Sequence, residues 1–450
     1  MEGPAYPTGM NGAVEITLDN AETRRLAIFT FTVPANHDAP GDGTLRLAYH
    51  RICSPFPRRT PVVFLCGGPG DPGIASLRHG PFRKAFERMA QSRDVILLDQ
   101  RGCGYSDQDM RCAPPDFRDG WLRDETTALA MLADQAARTL QSRPIRPEWY
   151  TPAQSARDLT FLADALGVDQ VHLWGYSYGT HLTQAALKQL PERIDRVILC
   201  GFEGPDQTYK LPSRIQQQIE RLDHLARSQN VLPDLMDVMD RVHRRLATES
   251  VTVQQEGRPA EVGLFGLQWI MSTWVGVSNR FTRLPALYAA LDRGDSRPLE
   301  RAVQGFAKML VQRPAVFYLK DAASGATTAR MERIAQERST CLLADRCNFP
   351  FPQIREAWGQ QDLGDAFRAP LQTEHSLFIL TGSLDGFTPT ENAQESLATL
   401  PNATLSVINN AAHNDLLTCE EAVEDMVYFL EGHPVSRRKY TLPAPALIPE

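Results

Sequence analysis

The stretch VHLWGYSYGTHL, residues 171–182, sets Ser177 between Gly175 and Gly179, with a strand-forming run before it and a helix-like run after it. A serine hydroxyl is a poor nucleophile at neutral pH. It reacts only with a base beside it, an acid that orients the base, and amide donors for the oxyanion. Glycines two residues to either side let the chain turn sharply, so that the hydroxyl stands above the carboxyl edge of a sheet. The pentapeptide alone is common. Its strand–turn–helix setting makes Ser177 the expected nucleophile rather than a serine in a plain turn.

In this arrangement the acid and then the base follow the nucleophile along the chain. LFILTGSLDGFTP puts Asp385 just past a buried run, where loops carry reactive groups. Its alternative use is to cap a helix starting near Pro389. ATLSVINNAAHND puts His413 a few residues past another strand, as the expected base. His172, inside the nucleophile strand, and His181, in the helix after it, read as packing residues. Asp415 rivals Asp385 as the acid, but it is too close in sequence to His413 to reach the far side of the ring. The oxyanion donors expected are the backbone N–H groups of Tyr178 and of Gly68 in CGGPG, residues 66–70, with Gly67 as the rival. Otherwise these glycines form only a tight turn.

Other chemistries find less support. Neither GxGxxG nor GxxxxGK[ST] occurs at a strand–helix junction, which disfavours nucleotide binding. The eight cysteines form no CxxC pair and no Cys/His cluster, so no metal, redox motif or cofactor is expected. Cys341 and Cys347 could pair in an oxidising compartment and are expected as free thiols in the cytosol. With a net charge of −7 and no long basic block, nucleic acid is not an expected partner. No run approaches a membrane span, and the first residues show no basic–apolar leader, so the cytoplasm is the expected compartment.

The elements that must position these residues form an α/β pattern. RRLAIFTFTVP and TLRLAYHRI alternate as antiparallel strands. Val62–Leu65, DVILLDQ, Val171–Trp174 and RIDRVILCGF are short buried runs separated by helical patterns, as in a parallel sheet. Thr151 or Ser155 can cap the helix that begins near Pro152. From about 205 to 370 the patterns turn helical, in five segments beginning with RIQQQIERLDHLARSQ. The β pattern then returns, and CEEAVEDMVYFLEG reads as a final helix. The expected division is an α/β core, 1–204 and 372–450, interrupted by a helical block, 205–371.

VVFLCGGPGDPG, VILLDQRGCGYSD, LWGYSYGT, LTGSLDGFTP and AAH together resemble the α/β-hydrolase fold, and more narrowly the proline iminopeptidase and tripeptidyl aminopeptidase group of serine peptidases. The GGPG and DQRGxGxSD pair is the specific part. The resemblance implies a mostly parallel sheet flanked by helices, with an inserted helical cap over the site. It implies Ser177, Asp385 and His413 as the triad, with Gly68 and Tyr178 for the oxyanion. The expected substrate is a small peptide, with a carboxylesterase or small-molecule amidase as the alternative. Acidic side chains near the cap hold the free α-amine in such aminopeptidases, and Glu203 and Asp206 are placed for that role. One departure is Cys66, where many relatives carry histidine.

Overall fold

The computed structural model describes residues 10–56, 59–107 and 110–448. The first nine residues, on which the expectation of no leader bears, lie outside them. Twelve strands are present among the described residues: β1 (Met10–Thr17), β2 (Thr23–Pro34), β3 (Thr44–Ile52), β4 (Val62–Leu65), β5 (Val95–Asp99), β6 (Val171–Tyr176), β7 (Ile194–Cys200), β8 (Val251–Gln255), β9 (Arg258–Val262), β10 (Leu377–Gly382), β11 (Ala403–Asn409) and β12 (Lys439–Thr441). Ten form one sheet in the order β1-β2-β3-β5-β4-β6-β7-β10-β11-β12. Its pairs are antiparallel from β1 to β5 and parallel from β5 to β12.

The side-chain period of two explains why both faces of this sheet are covered. In β4, Val62 and Phe64 join one hydrophobic cluster, and Val63 and Leu65 join the other. In β10, Phe378 and Leu380 divide from Leu377 and Ile379 in the same way. A strand buried on both faces must be apolar throughout, which is the pattern these runs show. The helix Pro152–Leu166 begins as expected: the Thr151 hydroxyl accepts from the Gln154 amide, and Pro152 occupies the first turn.

Between β7 and β10 the chain forms helices, including Pro212–Ser228, Leu235–Leu246, Leu264–Ser272, Leu284–Asp292, Arg297–Gln312 and Ala315–Ser324. The hairpin β8–β9 interrupts them and was not expected. Its turn residues Glu256 and Gly257 both have positive φ, 51° and 78°, the conformation a two-residue hairpin turn requires. The hydrophobic cluster of this insert also takes in Met131 and Leu132 of the helix Glu125–Ser142, which precedes β6. The insert's core is therefore shared with residues from the α/β part.

The DQRGCGYSD segment is an anchor. The Asp99 carboxylate accepts from the Ile74 and Tyr105 amides, at 2.9 and 2.8 Å. Arg101 is fully buried and donates to Asp158 and to the carbonyls of Pro34, Ala35 and Trp149. Asp158 is also bonded by His37 at 2.8 Å. Removing one partner of such a pair strands the other charge. Arg101→Met is therefore expected to cost about 3–5 kcal/mol and to lower the thermal midpoint by ~3–5 °C. A thermal melt checks this, and an unchanged midpoint would show that the cluster holds nothing together.

Candidate active site

Ser177 follows β6 directly and precedes the helix Tyr178–Gln189. Its backbone sits at φ 56°, ψ −128°, a conformation that costs a residue with a Cβ of order 1–3 kcal/mol. Neighbouring backbone over-determines it. The Ser177 N–H donates to the Cys200 carbonyl at the end of β7, and its own carbonyl accepts from the Thr180 amide and hydroxyl. The flanking glycines are required by close approach. A Cβ on Gly175 would lie 2.5 Å from the Gly179 carbonyl oxygen, and one on Gly179 would lie 1.9 Å from that of Leu65.

Asp385 lies in the loop after β10 and is fully buried. One of its oxygens accepts from the Phe387 and Thr388 amides, both at 2.8 Å. The other accepts from the Thr388 hydroxyl at 2.6 Å and faces His413 Nδ1 at 2.7 Å. Burial pushes this carboxyl up. The facing His413 and the Thr388 donors outweigh burial and hold it below its ordinary value. Asp385 thus orders its own loop rather than capping the helix Thr390–Ser396, whose N-cap is Pro389.

His413 opens the turn after β11. Its amide donates to Gly276 of the insert at 2.9 Å, and its carbonyl accepts from the Tyr176 hydroxyl. Tyr176 and Phe387 meet the ring edge-on, each at 5.5 Å between centroids. The Asp385 contact puts the proton on Nδ1 and leaves Nε2 as the basic atom. Ser177 and His413 flank the same Cys200–Gly201 step: a Cβ on Gly201 would lie 2.9 Å from His413 Cε1. The Ser177 hydroxyl and Nε2 are not hydrogen-bonded to each other here; such contacts are often long in unliganded sites and tighten on binding. Asp415 turns away from the ring, accepting from the Ala412 amide and the Ser278 hydroxyl.

The CGGPG loop closes over the serine. A Cβ on Gly67 would lie 2.7 Å from Ser177 Cβ, and one on Gly68, at φ 109°, would strike the Gly70 and Asp71 amides. Gly68 faces the cavity while Gly67 is buried. Neither the Gly68 N–H nor the Tyr178 N–H has a hydrogen-bond partner among the described residues. The Cys66 thiol is buried against the Ser76 hydroxyl, and burial pushes its pKa up, so it offers no thiolate. Gln100 donates to the Cys66 carbonyl and accepts from the buried Lys320 of the insert at 2.5 Å, which ties the loop to the insert.

A cavity of about 270 Å³ opens on Ser177 and Gly68, with Trp269, Phe317 and Phe387 among its walls. Of the other insert aromatics, Phe281 and Phe306 are buried in the insert's core. Glu203 lines the cavity but is already ion-paired with Lys210. Asp206 does not serve the cavity. Both of its oxygens are taken by Thr327, from the amide at 2.8 Å and the hydroxyl at 2.7 Å, so it holds in place the residue that caps the helix Thr328–Glu337. Asp321, which sequence reasoning did not single out, lines the cavity instead. Its carboxyl makes no hydrogen bond or ion pair among the described residues. Burial pushes Asp321 well above its ordinary range, Glu203 adds to this, and Lys210 and Arg313 oppose it. All eight cysteines, Cys341 and Cys347 among them, are free thiols. No helix among the described residues is long and apolar enough to cross a membrane.

The chain is 27% identical over 190 residues to serine protease Hip1 of Mycobacterium tuberculosis, covering 39% of this chain and 35% of that one. It is 26% identical over 211 residues to a proline iminopeptidase of Heyndrickxia coagulans, covering 47% and 53%. It is 28% identical over 188 residues to a tripeptidyl aminopeptidase of Streptomyces lividans, covering 39% and 35%. The matched stretch thus spans only about a third to a half of the length of these relatives. The family model of the alpha/beta hydrolase fold matches residues 60–418, from β4 past His413, and the chain belongs to that family.

Proposed function

We propose that this protein is a serine hydrolase that cleaves an amide bond through an acyl-enzyme, as an aminopeptidase of the proline iminopeptidase type. The observation that carries the reading is the 2.7 Å Asp385–His413 contact beside a serine held at positive φ. His413 Nε2 takes the Ser177 proton as the serine oxygen bonds to the acyl carbon. The Gly68 and Tyr178 amides bind the resulting oxyanion. The C–N bond then breaks, His413 gives its proton to the departing amine, and water releases the acyl group by the same steps. In this reading residues 205–371 act as a helical cap on a core of 1–204 and 372–450. The compartment assigned is the cytoplasm, where free thiols persist.

The free α-amine is held by Asp321, with Glu203 as a partner shared with Lys210. An ammonium entering an enclosed cavity needs such a counter-charge, and its arrival draws Asp321 into the ionised form. Asp321→Asn is expected to lower kcat/KM for free-amine substrates by about ten-fold or more, mostly through KM, and to spare N-acylated esters. Glu203→Gln should act in the same direction but less. Equal losses on both substrate types would exclude the clamp.

A carboxylesterase or small-molecule amidase is the second reading. It is favoured by the fact that Lys210 already neutralises Glu203 and that burial favours the neutral form of Asp321, so the cavity can accept an uncharged acyl group. The deciding experiment is a hydrolysis panel: aminoacyl arylamides with varied first residue, their N-acylated forms, and simple aryl esters. The aminopeptidase reading expects arylamide cleavage that N-acylation abolishes. Cleavage of esters alone would replace it with the esterase.

A further inference from the structure

The cavity over Ser177 continues outward. A second cavity of about 470 Å³ adjoins it and shares Gly68, Pro69, Arg280, Met309, Arg313 and Phe317 with it. Arg280 also lines a third, outer cavity of about 740 Å³, together with Arg283, Arg293, Arg297 and Arg301. Among the described residues lining that outer cavity the one acid, Asp295, is ion-paired with Arg297.

Among the described residues three guanidinium groups line the cavity over Ser177, and that of Arg346 is ion-paired with Glu125. The Arg280 guanidinium donates, among the described residues, only to the Thr273 carbonyl, at 3.4 Å. Arg313 lies over the Phe317 ring, 4.0 Å from its centroid, and touches the Met309 sulfur. Among the described residues neither forms an ion pair, and the same holds for Lys308 beside them in the second cavity. Among the described residues lining the second cavity Asp71 is the one acid, and burial pushes its carboxyl up, with Arg313 opposing. The chain carries a net charge of −7, so a run of cations from the serine to the surface does not follow from composition. Arginine forks of this kind match a planar carboxylate.

Glu203 and Asp321 line the cavity over Ser177 but not the second one, whereas Arg280 and Arg313 line both, so the guanidinium groups extend outward past the carboxyl groups. We propose that Arg280 and Arg313 bind the C-terminal carboxylate of a short peptide, so that the substrate is a small zwitterionic peptide held by both termini. This rests on the aminopeptidase reading for its inner end. Arg283 and Arg301 of the outer cavity then draw such substrates in along a positive path.

The test compares a free-amine tripeptide with its C-terminal amide, with an aminoacyl arylamide as the reference for basal peptidase action. The free acid is expected to exceed the amide in kcat/KM by about ten-fold or more, through KM, and this advantage should shrink with added salt. In Arg280→Gln and Arg313→Gln the ratio should fall toward one. A ratio near one in the wild type, with the arylamide cleaved, overturns this proposal and leaves the aminopeptidase reading standing. A tripeptide amide with glutamate in its last position that matches the free acid reassigns the arginines to an acidic side chain and overturns recognition of the terminus. If neither arylamide nor peptide is cleaved, the aminopeptidase reading fails. Calorimetric binding of the same two tripeptides to Ser177→Ala then still decides the carboxylate site, equal affinities overturning it.

Discussion

Ser177→Ala is expected to lose about 10⁴-fold or more of kcat while its thermal midpoint stays within ~2 °C of the wild type. The two halves of this expectation have separate causes. The hydroxyl is the atom that bonds to the acyl carbon, and no neighbouring hydroxyl stands in its place: the nearby Thr180 and Thr388 hydroxyls are committed to the Ser177 carbonyl and to Asp385. The fold, in contrast, uses only the serine backbone. The Ser177 N–H to Cys200 and its carbonyl to Thr180 survive in alanine, and serine and alanine carry the same Cβ at φ 56°. Steady-state kinetics beside a thermal melt reads both. A variant that keeps more than about 1% of the rate would remove Ser177 from the chemistry; a large drop in midpoint would mean that it is structural.

The second large effect is expected at Asp385. Asparagine keeps the shape and can still accept from the Phe387 and Thr388 amides. Its NH₂ would then face His413 Nδ1 where a carboxylate now lies at 2.7 Å. The ring would be driven to the tautomer with its proton on Nε2, the atom that must accept from serine. The expected loss in kcat is about 10⁴-fold. A pH signature accompanies it. The folded Asp385 carboxyl lies below its ordinary value, so the ionised form contributes stability that is present at neutral pH. That contribution is lost as pH falls through the ordinary carboxylate range and on to the depressed folded value. Wild type should therefore lose stability on acidification more steeply than Asp385→Asn. Equal slopes would mean that the His413 contact does not stabilise the carboxylate.

The readable parts of this molecule were those whose physics is local. β4, β5, β6 and β10 are buried on both faces, so each is an uninterrupted apolar run that shows in the residue order itself. Ser177 and Asp385 were visible because each follows such a run, and His413 because it comes a few residues after the strand pattern of β11. The hairpin β8–β9 was hidden because only alternate residues face inward and its strands are largely polar. Its one local sign was the Glu256–Gly257 turn. Asp206 sat close to Glu203 in sequence, but a helix 121 residues further on, at Thr327, claimed both of its oxygens. Asp321 was hidden for the converse reason. Nothing in AVFYLKDAAS distinguishes a carboxyl that faces a cavity from one that faces solvent; only the packing of the helix Ala315–Ser324 over the loop after β4 does so. The recognition end of the site is built from side chains that tertiary packing brings together, and no spacing rule reports it.

The most direct test of the account is covalent trapping. The protein is treated with a fluorophosphonate, and the intact mass and the peptide carrying the adduct are read by mass spectrometry. The account predicts one adduct per chain, on Ser177, with hydrolysis lost in proportion to labelling and no adduct on Ser177→Ala. Hydrolysis that persists in fully exposed, unlabelled protein, or equal labelling of Ser177→Ala, would contradict it.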